Sequence, residues 1–309
     1  SIELGKAFNG ALSGCSSTEA EAMFNLALQT QPDLKKVIFL SDMVIISAMS
    51  GFKGKADNSR LNTDLSPSLY YFQTLFSHDA TRRSFDTIKY LVRGEKAERN
   101  TLGHKYRARY PNTSMRSMFD RALWGYTNPG GVYPALNYTE NTVSSIRSIA
   151  ALCKQHNIEL VLAFPPIHAQ FQNALYVLDK WDVFEQYKRD LLDIVSTSPN
   201  SISLWDFSGF SSYTTEDLPE EDWVKADTMQ WYIEPSHFKS TLGEIMLQRI
   251  SGKNKDDTFG LRLTPENINE HLTILRAELM QWRQTHPREI ERLLQIKKGG
   301  RPPKVAAVE

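Results

Sequence analysis

The chain has 309 residues, of which 41% are hydrophobic, so it can bury a sizeable core as one large domain or as a domain with appendages. Lysine plus arginine and aspartate plus glutamate both number 36, and this balance argues against a general binder of nucleic acid or of acidic membranes. The 2 cysteines are too few for a disulfide framework and lack the paired spacing of a zinc site. The sequence contains no long apolar run, and its start lacks the features of a signal peptide.

A helix followed by a strand is predicted near the start of the chain. Ser16 and Glu19 have the spacing of a capping box, and apolar residues from Ala20 to Leu28 follow with helical spacing. The next segment, "KVIFLSD" (residues 36–42), is a short apolar run typical of a strand that is buried on both faces. A short strand is also expected in "FNGALSG", which ends at Gly14.

The same alternation continues in the middle of the chain. Val143, Ile146, Ile149 and Cys153 share one face of a predicted helix that precedes the strand "IELVLAF" (residues 158–164). A third apolar run, "SISLWDF" (residues 201–207), predicts another strand. Strands that alternate with helices predict an α/β fold with a mostly parallel sheet.

The chain divides into a core, an insertion and an extension. Residues 1–255 are predicted to form the α/β core, with an insertion at about 51–135 that is rich in Gly, Asn, Arg and Tyr and contains helices near 70–92 and 114–123. Residues 256–297 are expected to form a C-terminal helical extension of two helices, and residues 298–309 a flexible tail.

Polar residues follow the ends of the predicted strands, and in an open parallel sheet ligands bind at that edge. Asp42 ends the first strand, His168 follows the second, and Asp206 ends the third. Gly14 follows "FNGALSG". Each residue also has a simpler interpretation: Gly14 as a turn, the two aspartates as loop caps, and His168 as an exposed loop residue. Taken together, they predict a cleft at this edge.

The stretch "WYIEPSHF" (residues 231–238) places His237 three residues after Glu234. Thr241 and Glu244 have capping-box spacing, so the next helix is expected to start near Thr241 and His237 to lie in a loop. A loop Glu-x-x-His does not stack both side chains on one helical face, which argues against a metal site. The carboxylate can instead orient the imidazole as a general base, as in a hydrolase triad. The simpler alternative is a histidine packed under the start of the helix.

These segments resemble the SGNH hydrolases, especially the divergent envelope-associated branch related to polysaccharide O-acetyltransferases and teichoic-acid D-alanylation proteins. "FNGALSGCSSTEAEAMF" is similar to the family's second block, "KVIFLSD" to the strand after it, and "YIEPSHF" with its helix to the final block. The resemblance implies a three-layer α/β/α fold with a flavodoxin-like sheet. It gives His237 the role of general base, Glu234 that of the orienting acid, and Gly14 that of a backbone donor to the oxyanion.

The sequence departs from the family at three positions of the site. Glu234 stands where the family has Asp, and its extra methylene requires a different backbone distance. Asp42 stands roughly where the family has an oxyanion asparagine, and a carboxyl group donates a hydrogen bond only when protonated. The family's nucleophilic serine lies in a turn upstream of the second block, so the nucleophile is expected on a segment ahead of Ser1. The candidate substitutes within the chain are Ser13, Ser16, Ser17 and Ser41, of which Ser16 and Ser17 are explained as helix caps.

The resemblance favours a serine esterase or O-acyltransferase that acts on acylated small molecules or cell-envelope carbohydrate, without a cofactor or nucleic acid. Aromatic residues such as Trp231 could line the cleft and stack on sugar rings. By resemblance, an extracytoplasmic or periplasmic location is expected, with membrane contact only through an upstream anchor. The alternative is a catalytically silent envelope binding or scaffold protein with the same fold. A nucleotide-binding domain is disfavoured because neither G-x-G-x-x-G nor a Walker loop is present.

Overall fold

The computed structural model describes residues 7–12, 14–47, 78–92, 114–136, 138, 143–198, 201–219, 229–300 and 302, with isolated positions between 66 and 76. Helices and strands alternate through much of this part of the chain. In chain order the elements are α1 (Ser17–Thr30), β1 (Lys36–Leu40), α2 (His78–Val92), α3 (Met115–Thr127), α4 (Ser144–Gln155), β2 (Glu159–Phe164), α5 (Ala169–Val177), α6 (Trp181–Ser196), β3 (Ile202–Asp206), β4 (Tyr232–Glu234), β5 (His237–Phe238), α7 (Ser240–Ile250), β6 (Leu261–Leu263), α8 (Ile268–Thr285) and α9 (Pro287–Lys298).

The main sheet has the strand order β1-β2-β3-β6. β1, β2 and β3 are parallel, and Val37 is paired with Leu160, which in turn is paired with Ile202. β6 joins β3 in the antiparallel sense. The three strands predicted from apolar runs are therefore confirmed, and the fold is α/β with a mostly parallel sheet. The antiparallel strand β6 was not predicted, because three residues are too few to give a periodic signal.

Local sequence signals explain most of the helix positions. The Ser16 side chain accepts a hydrogen bond from the Glu19 backbone and Glu19 reciprocates, so the predicted capping box of α1 is confirmed. In α4, Ile146, Ile149 and Cys153 are buried, as their spacing predicts. α1 packs against α4, and α4 in turn contacts β2. These contacts fix the helices relative to the sheet.

The expected strand in "FNGALSG" is wrong for the residues that the structure describes. Residues 8–12 have no regular structure, and Phe8 is exposed. A strand needs a hydrogen-bonding neighbour, and among the described residues no strand pairs with the outer edge of β1. Ser13 lies outside the described residues.

The predicted helices on either side of the core are also present. α2 and α3 fall within the predicted insertion, and α8 and α9 are the two helices expected in the C-terminal extension. Met115, Phe119 and Leu123 of α3 are buried, and α3 packs against α9 and β4, so this part of the insertion contributes to the core. In the part of the chain that the structure describes, no helix is both long and apolar enough to span a bilayer.

The capping box predicted at Thr241 is wrong. α7 begins at Ser240, one residue earlier, and its N-cap residue Lys239 makes no side-chain capping bond. The reason is the hairpin that precedes the helix: the Lys239 backbone N–H donates to the Trp231 carbonyl at 2.7 Å, and this bond sets where the helix begins. His237 is not on the helix, as predicted, but it lies in the strand β5 and not in the expected loop.

Candidate active site

A two-stranded hairpin carries the Glu-x-x-His motif. β4 and β5 pair in the antiparallel sense, with Glu234 opposite His237 and a register irregularity between Tyr232 and Glu234. Pro235 and Ser236 form the turn. The His168 backbone N–H donates to the Pro235 carbonyl at 3.0 Å, which ties this turn to the segment that follows β2. The hairpin therefore presents Glu234, Ser236 and His237 close to the carboxyl end of the sheet.

Glu234 accepts hydrogen bonds from its two neighbours in the motif. The Ser236 hydroxyl donates to Oε1 at 2.7 Å, the Ser236 backbone N–H donates to Oε2 at 3.1 Å, and His237 Nδ1 contacts Oε1. Burial alone would raise the pKa of Glu234, but the bonds from His237 and Ser236 and the proximity of His237 lower it. Glu234 is therefore an anion at neutral pH. An anionic carboxylate only accepts, so Nδ1 must carry the ring proton.

The two side chains of this pair differ in exposure. The side chain of Glu234 is 18% exposed, whereas that of His237 is 75% exposed. A partly buried acid thus orients an imidazole that solvent and solutes can reach. This is the geometry that a general base and its orienting acid require.

A small pocket lies beside the hairpin turn. It has a volume of about 20 Å³, which is room for roughly one water molecule. Most of its lining is apolar or aromatic, and Met43, Phe164 and Phe171 are among these residues. The lining side chains that carry oxygen are Asp42, Tyr126, Tyr133, Ser208 and Ser236. Ser236 thus connects the pocket to the Glu234–His237 pair.

Asp42 is coupled electrostatically to the hairpin and to Cys15, ahead of α1. Its Oδ1 accepts the backbone N–H groups of Val44 at 2.9 Å and Ile45 at 3.3 Å, which is the local capping role anticipated for this residue. Burial raises the pKa of Asp42, and these backbone bonds and His237 oppose the rise. Burial also raises the pKa of the Cys15 thiol to about 11, with Glu19 and Asp42 contributing. His237 therefore lowers the pKa of Asp42. Asp42 in turn contributes to the raised pKa of Cys15, the residue next to Gly14.

Gly14 has φ = +68° and open space where a Cβ would stand. It occupies the turn before α1, and only glycine adopts this backbone conformation without strain. Its conformation explains the residue type without any catalytic role.

His168 and Asp206 lie in the protein interior. The His168 ring is 2% exposed and caps α5 through Nδ1, and its Nε2 is 2.7 Å from the Glu216 carbonyl oxygen. Burial lowers the pKa of His168 to about 4, and the Glu216 carbonyl opposes this. The Asp206 side chain is fully buried between Lys188 and His271. Neither side chain reaches the exposed imidazole of His237.

The remaining candidates are also accounted for by local contacts. Trp231 is partly exposed, and its ring meets Tyr213 edge-on at 5.0 Å between centroids. The Ser41 hydroxyl is buried against the Tyr187 hydroxyl. Ser16 caps α1, and Ser17 is the first residue of that helix. None of these three serines contacts His237 through a described hydrogen bond.

Sequence reasoning missed a buried cluster behind the pocket. Lys188 Nζ contacts Asp206 Oδ2 and donates to Ser208 Oγ at 2.8 Å, and His271 Nε2 lies 2.8 Å from the same Asp206 oxygen. Lys188 lies on the amphipathic helix α6, where a lysine is normally a solvent-facing residue. Its position on the buried face, between Tyr187 and Leu191, was the available signal.

Among the described residues, no group of three His, Cys, Asp or Glu side chains could hold a metal ion. Comparison of the chain with known protein families, curated proteins and solved structures finds no match.

Proposed function

We propose that the protein is an SGNH-like serine esterase or O-acyltransferase that acts on acyl esters, with a three-layer α/β/α core. The observation that supports this most strongly is the pairing of a partly buried, anionic Glu234 with an exposed His237 on one hairpin. The packing of α4 on β2 and of α6 on β3 is compatible with helices on both faces of the sheet.

In the proposed reaction a serine hydroxyl attacks the ester carbonyl while His237 takes the hydroxyl proton. The negative charge of Glu234 stabilises the imidazolium that forms. His237 then protonates the leaving alcohol, and a water or a sugar hydroxyl attacks the acyl-enzyme to release the product. Acylated carbohydrate of the cell envelope is the proposed substrate, in an extracytoplasmic location.

The nucleophile is proposed to lie on a segment that precedes Ser1. Leu40 is exposed on β1, and no described strand covers the outer edge of β1. An uncovered edge of this kind readily accepts another strand. A strand added there would end beside Asp42 and the hairpin, where a nucleophile is needed.

The test is acetate release from 4-nitrophenyl acetate by the protein together with any sequence encoded ahead of Ser1. We expect His237→Ala to reduce kcat by about 10²–10⁴-fold, the usual contribution of a general base. His156→Ala is the matched control, because His156 is exposed at the end of α4 that leads into the start of β2, away from the hairpin.

Equal turnover by wild type and His237→Ala would contradict the proposal. An extended protein that binds acylated carbohydrate but releases no acetate would instead support a catalytically silent envelope binding or scaffold protein.

A further inference from the structure

His168 is buried beside the strand that leads into the Glu-x-x-His turn. Its ring meets Tyr232 of β4 edge-on, with 5.1 Å between the ring centroids, and meets Phe119 of α3 edge-on at 5.0 Å. The residue is 2% exposed, so it can act on the site only through other residues. Its backbone N–H already holds the turn at the Pro235 carbonyl oxygen, 3.0 Å away. His168 therefore contacts the hairpin from its buried side.

The two ring nitrogens of His168 have different partners. Nδ1 accepts the backbone N–H of Gln170 at 3.3 Å, so it carries no proton in the neutral ring. Nε2 therefore carries the proton and donates to the Glu216 carbonyl oxygen at 2.7 Å. The backbone N–H of the next residue, Ala169, donates to the Thr214 carbonyl oxygen at 2.8 Å. Two bonds from the start of α5 thus hold the segment that contains Glu216.

The Glu216 side chain holds the other end of the same strand. Its carboxylate accepts the backbone N–H of Gln230 and, at 2.9 Å, the backbone N–H of Trp231. These two residues directly precede β4, which begins at Tyr232. Hydrogen bonds to a carboxylate are stronger than bonds between neutral groups, so the pair restrains the chain where β4 begins. Glu216 therefore fixes the start of the strand, and His168 fixes Glu216.

We propose that His168 and Glu216 are positioning residues that hold both ends of β4 and so place the imidazole of His237 within reach of the nucleophile. His168 holds the turn through its backbone N–H and the start of the strand through Glu216. The inference rests on the proposed function for the reaction that the imidazole serves. A general base must lie about 2.6–3.2 Å from the hydroxyl whose proton it takes. A displacement of about 1 Å can cost about 10²-fold in rate, so the restraint on β4 matters for kcat.

Two substitutions separate the roles of the two ring nitrogens. Asparagine places an oxygen near the position of Nδ1, so His168→Asn keeps the cap on α5 but loses the donor to Glu216. Glutamine places an N–H near the position of Nε2, so His168→Gln keeps that donor but loses the cap. A residue that only capped α5 would tolerate asparagine better than glutamine. A residue that positions the hairpin through Glu216 should show the reverse order.

The first experiment measures hydrogen exchange of the Trp231 backbone amide, which donates to the Glu216 carboxylate. We expect exchange to be about three- to tenfold faster in His168→Asn than in the wild type, and slower in His168→Gln than in His168→Asn. Glu216→Ala removes the acceptor at a partly exposed position and should also accelerate exchange. Equal exchange in the wild type and His168→Asn would overturn the proposal. The measurement needs no turnover, so it decides the restraint on β4 even if the ester reaction fails.

The second experiment measures acetate release from 4-nitrophenyl acetate by the protein together with any sequence encoded ahead of Ser1. His168→Asn should lose about 10–100-fold in kcat with KM changed by less than about twofold, because the substitution displaces the base and not the ester. His168→Gln should keep at least about five times the kcat of His168→Asn.

Two results separate the inference from the proposed function. Absence of turnover in the wild type would contradict the proposed function, whereas the exchange measurement would still decide whether His168 restrains the hairpin. Turnover in the wild type, with His168→Gln as slow as His168→Asn or slower, would contradict the positioning role and leave the esterase activity standing.

Discussion

Two pairs of an acid and a histidine lie near the carboxyl ends of the strands, and they differ in how far the histidine is exposed to solvent. On the hairpin, Glu234 is held by Ser236 and His237, and the imidazole is 75% exposed. Behind the pocket, Asp206 contacts His271, whose side chain is only 12% exposed, and the cluster also contains a lysine. The residue types are similar, so it is solvent access that separates a candidate catalytic pair from a structural one.

The buried cluster is electrostatically complete. Burial alone would raise the pKa of Asp206, but Lys188 and His271 together hold it well below its usual range. Its Oδ1 accepts the Ser208 hydroxyl at 2.6 Å and the Ser208 backbone N–H at 2.9 Å. Lys188 also lies 4.1 Å from the centre of the Phe184 ring. The Lys188 ammonium and the Ser208 hydroxyl each have an acceptor within the cluster. The cluster therefore holds α6, β3 and α8 together.

Removal of the lysine should give the largest effect. Lys188→Met leaves Asp206 as a buried carboxylate with one cationic neighbour fewer, so we expect the free energy of unfolding to fall by about 3–5 kcal/mol. His237→Ala, on the exposed group, should lower it by about 1 kcal/mol or less. Urea unfolding measures both. Similar losses of unfolding free energy for the two variants would contradict the distinction between the buried Asp206 cluster and the exposed Glu234–His237 pair.

The two serines give a smaller but better matched comparison. Ser208 and Ser236 each donate to the acid of their own group, at 2.6 and 2.7 Å. Ser208→Ala leaves buried partners unsatisfied and should cost about 1–3 kcal/mol, whereas Ser236→Ala should cost about 0.5–1.5 kcal/mol. The same unfolding experiment applies. A larger loss of unfolding free energy for Ser236→Ala would mean that the hairpin bond stabilises the fold more than the bond in the buried cluster does.

The sequence predicted the parallel strands well because each is an apolar run bounded by polar residues, and the motif at Glu234 and His237 was visible from spacing alone. It did not predict which acids would be buried. Asp206 ends β3 and Asp42 lies two residues after β1, yet Asp42 lines a pocket and Asp206 contacts Lys188 and His271. Those partners come from helices 18 residues before and 65 residues after Asp206, so only tertiary packing brings them together.

Local signals also failed where tertiary contacts override them. Thr241 and Glu244 have capping-box spacing, but the hydrogen bond from Lys239 to Trp231 starts the helix one residue earlier. His168 follows two prolines and was predicted to line the cleft, with an exposed loop residue as the alternative, yet it caps α5 inside the core. In both cases the deciding partner is distant in sequence or belongs to another element.

The tautomer of His237 tests the central claim most directly, because that claim is that Glu234 orients this imidazole. Long-range ¹H–¹⁵N NMR at a pH where the ring is neutral reports which nitrogen carries the proton. We predict that Nδ1 carries it in the wild type, and that Glu234→Ala shifts the population toward the Nε2-protonated form. A wild-type ring protonated on Nε2, or the same tautomer population in both proteins, would contradict the account.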